Sequence, residues 1–481
     1  MNQYSVFKGI LRNTAALAAA RVVERSSTVV LSFVVARRLG AAGLGIYSAT
    51  MVFFGLISLA AEMGSTNYLV REIAKDRSRT SRYVVHLGIM TVILSLFVIS
   101  VSWLIVPHLG YSSELMASVY VVLLAAIPGT LKTIQEAVFI AHERVEFITY
   151  STAIAAFAYV GMALYCLRQG YGVVSLVTAF AVVQYIVAFC YFVFLNRYIA
   201  HLRCKLSLSF AVRLIGEIKV FAGSSLIAGL AARPEIVILS LFKNDSQIGF
   251  YSAALRIVDV WQLVPQTYMT NVYPVLSHAE YVADRNTSRV ILEKSIKYLL
   301  AVSLPLAVGF IVAARPILAL VYGPGFEPSV SALRIMAWCV PLSSLTSVLW
   351  RLLAARNQQH LLLRAQVLTT VARLSAGYGF ILWLGVAGAA LSTALAMLVQ
   401  NLFMEFYVRR DGTRLGVIRL SWRVSMAALV MGVMAGMVVN RFSLWIVVLV
   451  AMTLYAGLMV LLKAVSIDEF VSMRKIWQID A

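Results

Sequence analysis

Arg21, Glu24 and Arg25 stand at i, i+3 and i+4 inside the first long apolar segment of this chain. On a helix that spacing puts all three on one face. Two guanidinium groups oriented by a carboxylate suit a phosphate or diphosphate, because arginine's planar donors match phosphate oxygens in pairs. The same triplet also suits an ion pair that fastens the helix to its neighbours. A second cluster, Arg233-Pro234-Glu235, sits near the middle of another apolar segment. Proline there removes a backbone hydrogen bond and kinks the helix, and such breaks adjoin substrate and ion sites in transporters; a static kink beside a local charge pair is the plainer reading. Arg256 and Asp259, one turn apart, form either a self-neutralising pair or a ligand contact. Arg373 is central in its segment, with no acidic residue within four positions, which leaves cavity lining and cross-helix pairing equally open. Glu62 is placed to take an ion or a proton, or to cap a packing contact.

These charges matter because of where they lie. Of 41 Lys and Arg residues, eight fall in or near apolar segments: Arg21, Arg25, Lys132, Lys219, Arg233, Arg256, Arg334 and Arg373. At a helix centre in a bilayer such a charge costs about 2.5–3.5 kcal/mol on insertion scales. They must therefore line a hydrated interior or pair with one another. The expectation is a cationic cavity built from Arg21, Arg25, Arg233, Arg256 and Arg373, with Glu24, Glu62, Glu235 and Asp259 orienting them or coupling an ion or proton. Lys132 and Glu136, at i and i+4, read as an internal helix pair, while Lys219 and Arg334 lie near segment ends and snorkel.

Other chemistries find little support. Cys166, Cys190, Cys204 and Cys339 have no CxxC spacing and read as small buried residues. No metal site and no cofactor are expected. HExxH, a Walker A loop, a nucleophile elbow and an Asp-x-Asp pair are all missing from the sequence, and the loops between segments are short, so the chain is expected not to be an enzyme.

The elements that must hold these residues follow from composition. Of 481 residues, 61% are hydrophobic and 13% charged; a soluble domain carries about 25% charged residues. The chain reads as an all-α polytopic membrane protein. Fourteen apolar stretches of spanning length are expected at 13–36, 45–69, 83–107, 114–141, 147–167, 172–196, 215–241, 247–272, 294–314, 328–350, 362–384, 386–408, 422–440 and 443–463. The first is interrupted by charge and followed by no small-residue cleavage site, so it reads as a retained helix. The net charge of +20 lies mostly in loops, which favours a membrane over nucleic acid. With the N-terminus inside, 27 loop cations fall inside and 6 outside, so both termini are expected in the cytoplasm.

Two short stretches reveal a repeat: Gly45-Ile-Tyr-Ser-Ala-Thr-Met51 and Gly249-Phe-Tyr-Ser-Ala-Ala-Leu255. Their offset of 204 becomes 213 further on, pairing Glu114 with Glu327, Pro128 with Pro341, Gly172 with Gly385 and Arg197 with Arg410. A nine-residue insertion near 278–293 accounts for the change. The expected organisation is an N-lobe (1–200, helices 1–6), a C-lobe (201–411, helices 7–12) and a terminal pair, helices 13–14, with a tail (412–481). Six helices per copy give both lobes the same orientation, hence a pseudo-twofold axis along the membrane normal and a cavity between two pseudo-symmetric lobes.

With that frame in place, the chain resembles the multidrug/oligosaccharidyl-lipid/polysaccharide (MOP) superfamily, and within it the bacterial polysaccharide-unit flippases of O-antigen/Wzx type. RRLGAAGLGIYS at 37–48, EMG at 62–64 followed by Arg71, YPVLS at 273–277, and LVYGPGF at 320–326 followed by Ser331 and Leu333 carry the resemblance, which spans nearly the whole chain. Glu62 stands where that family more often has aspartate. The resemblance implies translocation of lipid-linked (undecaprenyl-diphosphate) oligosaccharide repeat units across a bacterial inner membrane by alternating access, for surface polysaccharide. Membrane lipids, and polysaccharide polymerase and glycosyltransferases, are the implied partners. In the related lipid II flippases arginines on helices 1 and 8 contribute to a cationic cavity, and Arg21, Arg25 and Arg256 lie on the corresponding helices here. Two alternatives stay open: a small-molecule exporter of the same superfamily, and a non-transport scaffold for polysaccharide assembly. The basic excess among intramembrane charges favours an anionic lipid diphosphate over an organic cation.

Overall fold

A computed structural model describes residues 3–62, 64–202, 206–413, 415–439 and 441–462, and among them there is no strand. The α-helices are α1 (Gln3–Glu62), α2 (Ser65–Lys75), α3 (Thr80–Ile105), α4 (Ser113–Ala141), α5 (Val145–Arg168), α6 (Val173–Tyr198), α7 (Leu208–Ala232), α8 (Pro234–Phe242), α9 (Asp245–Trp261), α10 (Leu263–Tyr281), α11 (Arg285–Val312), α12 (Ala314–Tyr322), α13 (Ser329–Met336), α14 (Cys339–Ala355), α15 (Gln359–Leu384), α16 (Val386–Arg410), α17 (Val417–Val438) and α18 (Leu444–Leu461). The chain is a polytopic, helical membrane protein.

Eleven of the described helical stretches are long and apolar enough to cross a membrane, where fourteen apolar segments were expected. The described helices depart from the expected segments at three places. The first two segments share α1, which bends at Gly40 (φ 69°, ψ −166°), a conformation that favours glycine. Segment 215–241 breaks into α7 and α8 at Arg233, and segment 247–272 into α9 and α10 at Gln262.

The chain forms two compact units, Met1–Gly249 and Phe250–Ala481. In the first, α4 packs on α6, α1 and α3, burying Leu69, Ile73, Leu87, Val138 and Tyr191. In the second, α14 and α15 pack on α16, and α11 on α14, burying Met269, Ile296, Leu352 and Met404. Here α11 also carries α17. Gly432 of α17 sits so close that an added Cβ would lie 2.3 Å from Val308, and the Tyr455 hydroxyl of α18 donates to the Ala301 carbonyl at 2.6 Å.

The repeated motif has a structural reason within the first unit. A Cβ on Gly45 would lie 1.8 Å from the Asp245 carbonyl oxygen, and one on Gly249 would lie 1.8 Å from the Ala41 carbonyl oxygen. The same contact is made twice with roles exchanged, backbone against backbone, as small-residue helix crossings require. Tyr47 and Tyr251, two residues on, are both buried.

Candidate functional site

The break between α7 and α8 is built from its own residues. Arg233 precedes proline, which disfavours the helical conformation, and takes φ −149°, ψ 53°. Pro234 then opens α8 at its first position, where a missing N–H costs nothing. Glu235 follows in that first turn and is fully buried; the positive end of a helix dipole favours a carboxylate there. At the far end of α8 the Tyr111 hydroxyl lies 3.3 Å from that of Ser240, tethering the short helix to the loop before α4. Both α7 and α8 pack on α1.

The other expected residues of the first unit lie on α1. Arg21 and Arg25 fall on its first leg, with their side chains outside the described residues. Glu24 is half-buried, and its carbonyl accepts from the Thr28 hydroxyl at 3.0 Å. Glu62 ends α1 and its carboxylate accepts from the Thr66 hydroxyl, across a left-handed Gly64 (φ 63°) that turns the chain into α2.

Three expected residues belong to the second unit. Arg256 and Asp259 are half-buried on α9, within electrostatic reach of Tyr322, whose hydroxyl donates to the Ala253 carbonyl at 3.0 Å. Asp259 accepts from the Gln262 side chain at 3.3 Å, at the joint between α9 and α10. Arg373 is half-buried on α15.

Of the other intramembrane charges, Lys132 and Glu136 form the internal pair, 3.7 Å apart, with the Tyr191 hydroxyl donating to Glu136 at 3.5 Å. Lys219 is exposed midway along α7. Arg334 is exposed, and its Nε donates to the Ile311 carbonyl at 3.2 Å.

Two arrangements had no sequence signal. Glu217 of α7 accepts from the Tyr68 hydroxyl of α2 at 2.9 Å. Just before α7, the Ser207 N–H donates to Nε2 of buried His86 on α3 at 3.0 Å, leaving Nδ1 to donate to the Arg82 carbonyl at 2.7 Å. Arg82 in turn lies over the Phe210 ring at 4.2 Å. The entry of the broken helix is thus tied to α2 and α3 by partners more than a hundred residues away in sequence. Among the described residues no group of three or more His, Cys, Asp or Glu side chains forms a metal-binding cluster. Chemically, the first unit holds a broken helix with a buried carboxylate at the start of α8, next to the arginine that ends α7, a set able to hold an anion or a cation.

The sequence profile of the family described as "Polysaccharide biosynthesis protein" matches residues 34–331, and that of "Lipid II flippase MurJ" matches residues 251–456. A curated relative, the probable low-salt glycan biosynthesis flippase Agl15 of Haloferax volcanii, is 27% identical over 174 residues. That match covers 36% of this chain and little over a third (37%) of the relative's length. Among solved structures, the lipid II flippase MurJ in an inward closed conformation superposes with a TM-score of 0.74 at 14% identity, over 93% of this chain and 98% of its own. An inward-facing multidrug resistance MATE transporter of the MOP superfamily gives 0.64 at 14% identity, over 82% and 94%. A MOP superfamily transporter from Pyrococcus furiosus gives 0.55 at 14% identity, over 85% and 97%. The fold is that of the MOP superfamily.

Proposed function

We propose, from the premise that the chain belongs to the polysaccharide biosynthesis protein family, that it is a flippase for lipid-linked oligosaccharide. The cargo is an undecaprenyl-diphosphate repeat unit moved across a bacterial inner membrane, with both termini in the cytoplasm and no covalent chemistry by the protein. The observation that carries this reading is the broken helix at Arg233, with Glu235 buried at the start of α8, in a chain whose intramembrane charges are mainly basic. Discontinuous helices supply unpaired backbone groups to a site that changes access, and guanidinium groups match a diphosphate. The glycan and headgroup enter from the cytoplasmic side and the lipid tail stays in the bilayer. Arg21, Arg25, Arg233, Arg256 and Arg373 take the diphosphate or acidic sugars. Glu24, Glu62, Glu235 and Asp259 orient them or carry a coupling ion.

A small-molecule exporter would share this fold, but not a match to the polysaccharide family over residues 34–331. Deleting the gene tests the choice. Loss of surface polysaccharide with lipid-linked units left facing the cytoplasm is the expected outcome; altered drug tolerance with intact polysaccharide would overturn it. Replacing Arg21 and Arg25 together with alanine should lower flipping at least tenfold at unchanged expression, and normal flipping would remove those two from the site.

A further inference from the structure

The second unit contains an apolar groove of about 680 Å³ between α11, α13, α14, α16 and α17. Leu304, Leu342, Leu345, Leu395 and Leu398 form much of its wall, and no acidic residue lines it. Arg334 lies on its lining. The Nε of Arg334 is spent on the Ile311 carbonyl in the last turn of α11, where a cation suits the exposed carbonyls. Its terminal guanidinium nitrogens make no hydrogen bond or ion pair among the described residues. Trp338, 53% exposed, lines the same groove one turn further along, and Leu342 and Leu345 continue beyond it. From Arg334 to Leu345 the helical rise is about 16 Å at 1.5 Å per residue.

A cation, then an indole, then aliphatic side chains is the order that a phospholipid presents in complement: phosphate, interfacial region, acyl chain. We propose that this groove is a site for one glycerophospholipid of the surrounding bilayer, its phosphate on Arg334 and one acyl chain along Leu342, Leu345, Leu395 and Leu398. The lipid braces α17 against α11 and α16, so its occupancy stabilises the C-terminal helix pair by mass action. The first unit supplies the contrast. Its crevice between α3 and α4, about 570 Å³, is lined by Trp103, Leu104, Tyr120 and Leu124. At the repeat offset of 213, Val121 stands where the second unit has Arg334. Both crevices accept hydrocarbon, and only the second has a cation for a phosphate.

The test uses the purified full-length protein in detergent, titrated with phosphatidylglycerol carrying brominated acyl chains. The Trp338 signal is isolated by subtracting a Trp338→Phe variant. Saturable quenching of Trp338 is expected, with a lipid-dependent rise in melting temperature. Arg334→Gln should raise the half-saturating lipid at least fivefold, Arg334→Lys should recover part of that loss, and Ala394→Leu should fill the groove and reduce quenching. Should Arg334→Gln not fold, the lysine and leucine variants still decide. Quenching that rises linearly without saturation, or an unchanged half-saturation in all three variants, overturns the proposal in favour of ordinary annular lipid. Displacement by an equimolar polyprenyl phosphate overturns it in favour of a carrier-lipid tail.

Discussion

The turn after α4 and the turn after α14 have the same backbone and different side-chain chemistry. In the first, His142, Glu143 and Arg144 donate their N–H groups to the carbonyls of Val138, Ile140 and Phe139; in the second, Arg356, Asn357 and Gln358 donate to those of Leu352, Ala354 and Leu353. Glu143 (φ 61°) and Asn357 (φ 58°) both adopt the left-handed conformation. Yet His142 makes a neutral contact, its Nε2 lying 2.9 Å from the Thr80 hydroxyl, beside an exposed Arg77–Glu143 pair at 2.7 Å. Arg356 instead reaches Glu280 with two nitrogens, at 3.0 and 3.3 Å, and the Thr413 hydroxyl at 2.8 Å. Asp411 stands 3.9 Å from it and accepts from Gln358. One arginine therefore ties three turns of the second unit together, while the turn after α4 relies on pairwise contacts. The difference teaches that a repeated backbone turn is self-sufficient in hydrogen bonds, so its side chains are free to serve different neighbours. The repeat's glutamates diverge in the same way. Glu114 accepts from the Val173 N–H at the start of α6, whereas Glu327 is exposed.

The strongest way to break the comparison is at the motif glycines. Gly45→Leu or Gly249→Leu should each abolish a monodisperse folded peak in fluorescence-detected gel filtration, because a side chain meets backbone in both directions. Gly55→Ala, with nothing within 4 Å, should leave the peak intact. If one motif glycine tolerates leucine, the reciprocal contact is wrong. Next in size, Arg356→Ala should cost about 2–4 kcal/mol, since it strands the largely buried Glu280. His142→Ala should cost about 1 kcal/mol, the net worth of a neutral hydrogen bond. Equal losses in melting temperature would erase the contrast between the turns.

Acidity should separate them as well. Burial holds the His142 ring below its ordinary pKa, with the nearby Arg77 charge adding to the shift. Its contribution to stability is thus fully present above about pH 6.5 and is lost as pH falls through the depressed value, because the unfolded chain takes up the proton first. Hydrogen exchange over 142–147, corrected for intrinsic rates, should accelerate between pH 7.5 and 5.5, and His142→Gln should flatten that response. The turn at 356–358 should not follow, as arginine keeps its charge throughout. The smallest effect is expected at Arg77→Ala, within about 0.5 kcal/mol, because its pair with Glu143 is solvent-exposed.

Much of the helical order was legible because it is local. Runs of apolar residues mark spanning helices whatever they pack against, and Pro234 marks the break at Arg233 from covalent geometry alone. The pairing of Lys132 with Glu136 follows from helical spacing. The bend at Gly40 was harder to read, since glycine permits a helix to turn without requiring it. The partnership of Glu217 with Tyr68 and that of His86 with Ser207 had no signal, as their sequence separations of 149 and 121 residues carry no periodicity. The candidate site was legible as a set of charges out of place in an apolar segment. Which of them share one space was not, because residues on different helices meet through packing and not through spacing.

By itself the sequence determined that this chain lives in a bilayer as helices, that a short motif recurs in it, and where proline breaks a helix. Those are consequences of hydrophobicity, repetition and proline stereochemistry, each readable within a few residues. The tertiary structure decided that Gly45 and Gly249 meet, that Arg356 binds three turns, and that Arg334 joins an apolar groove. Such contacts depend on distance in space, and residues far apart in the chain acquire their chemistry only when packing removes them from water or lipid and leaves them each other.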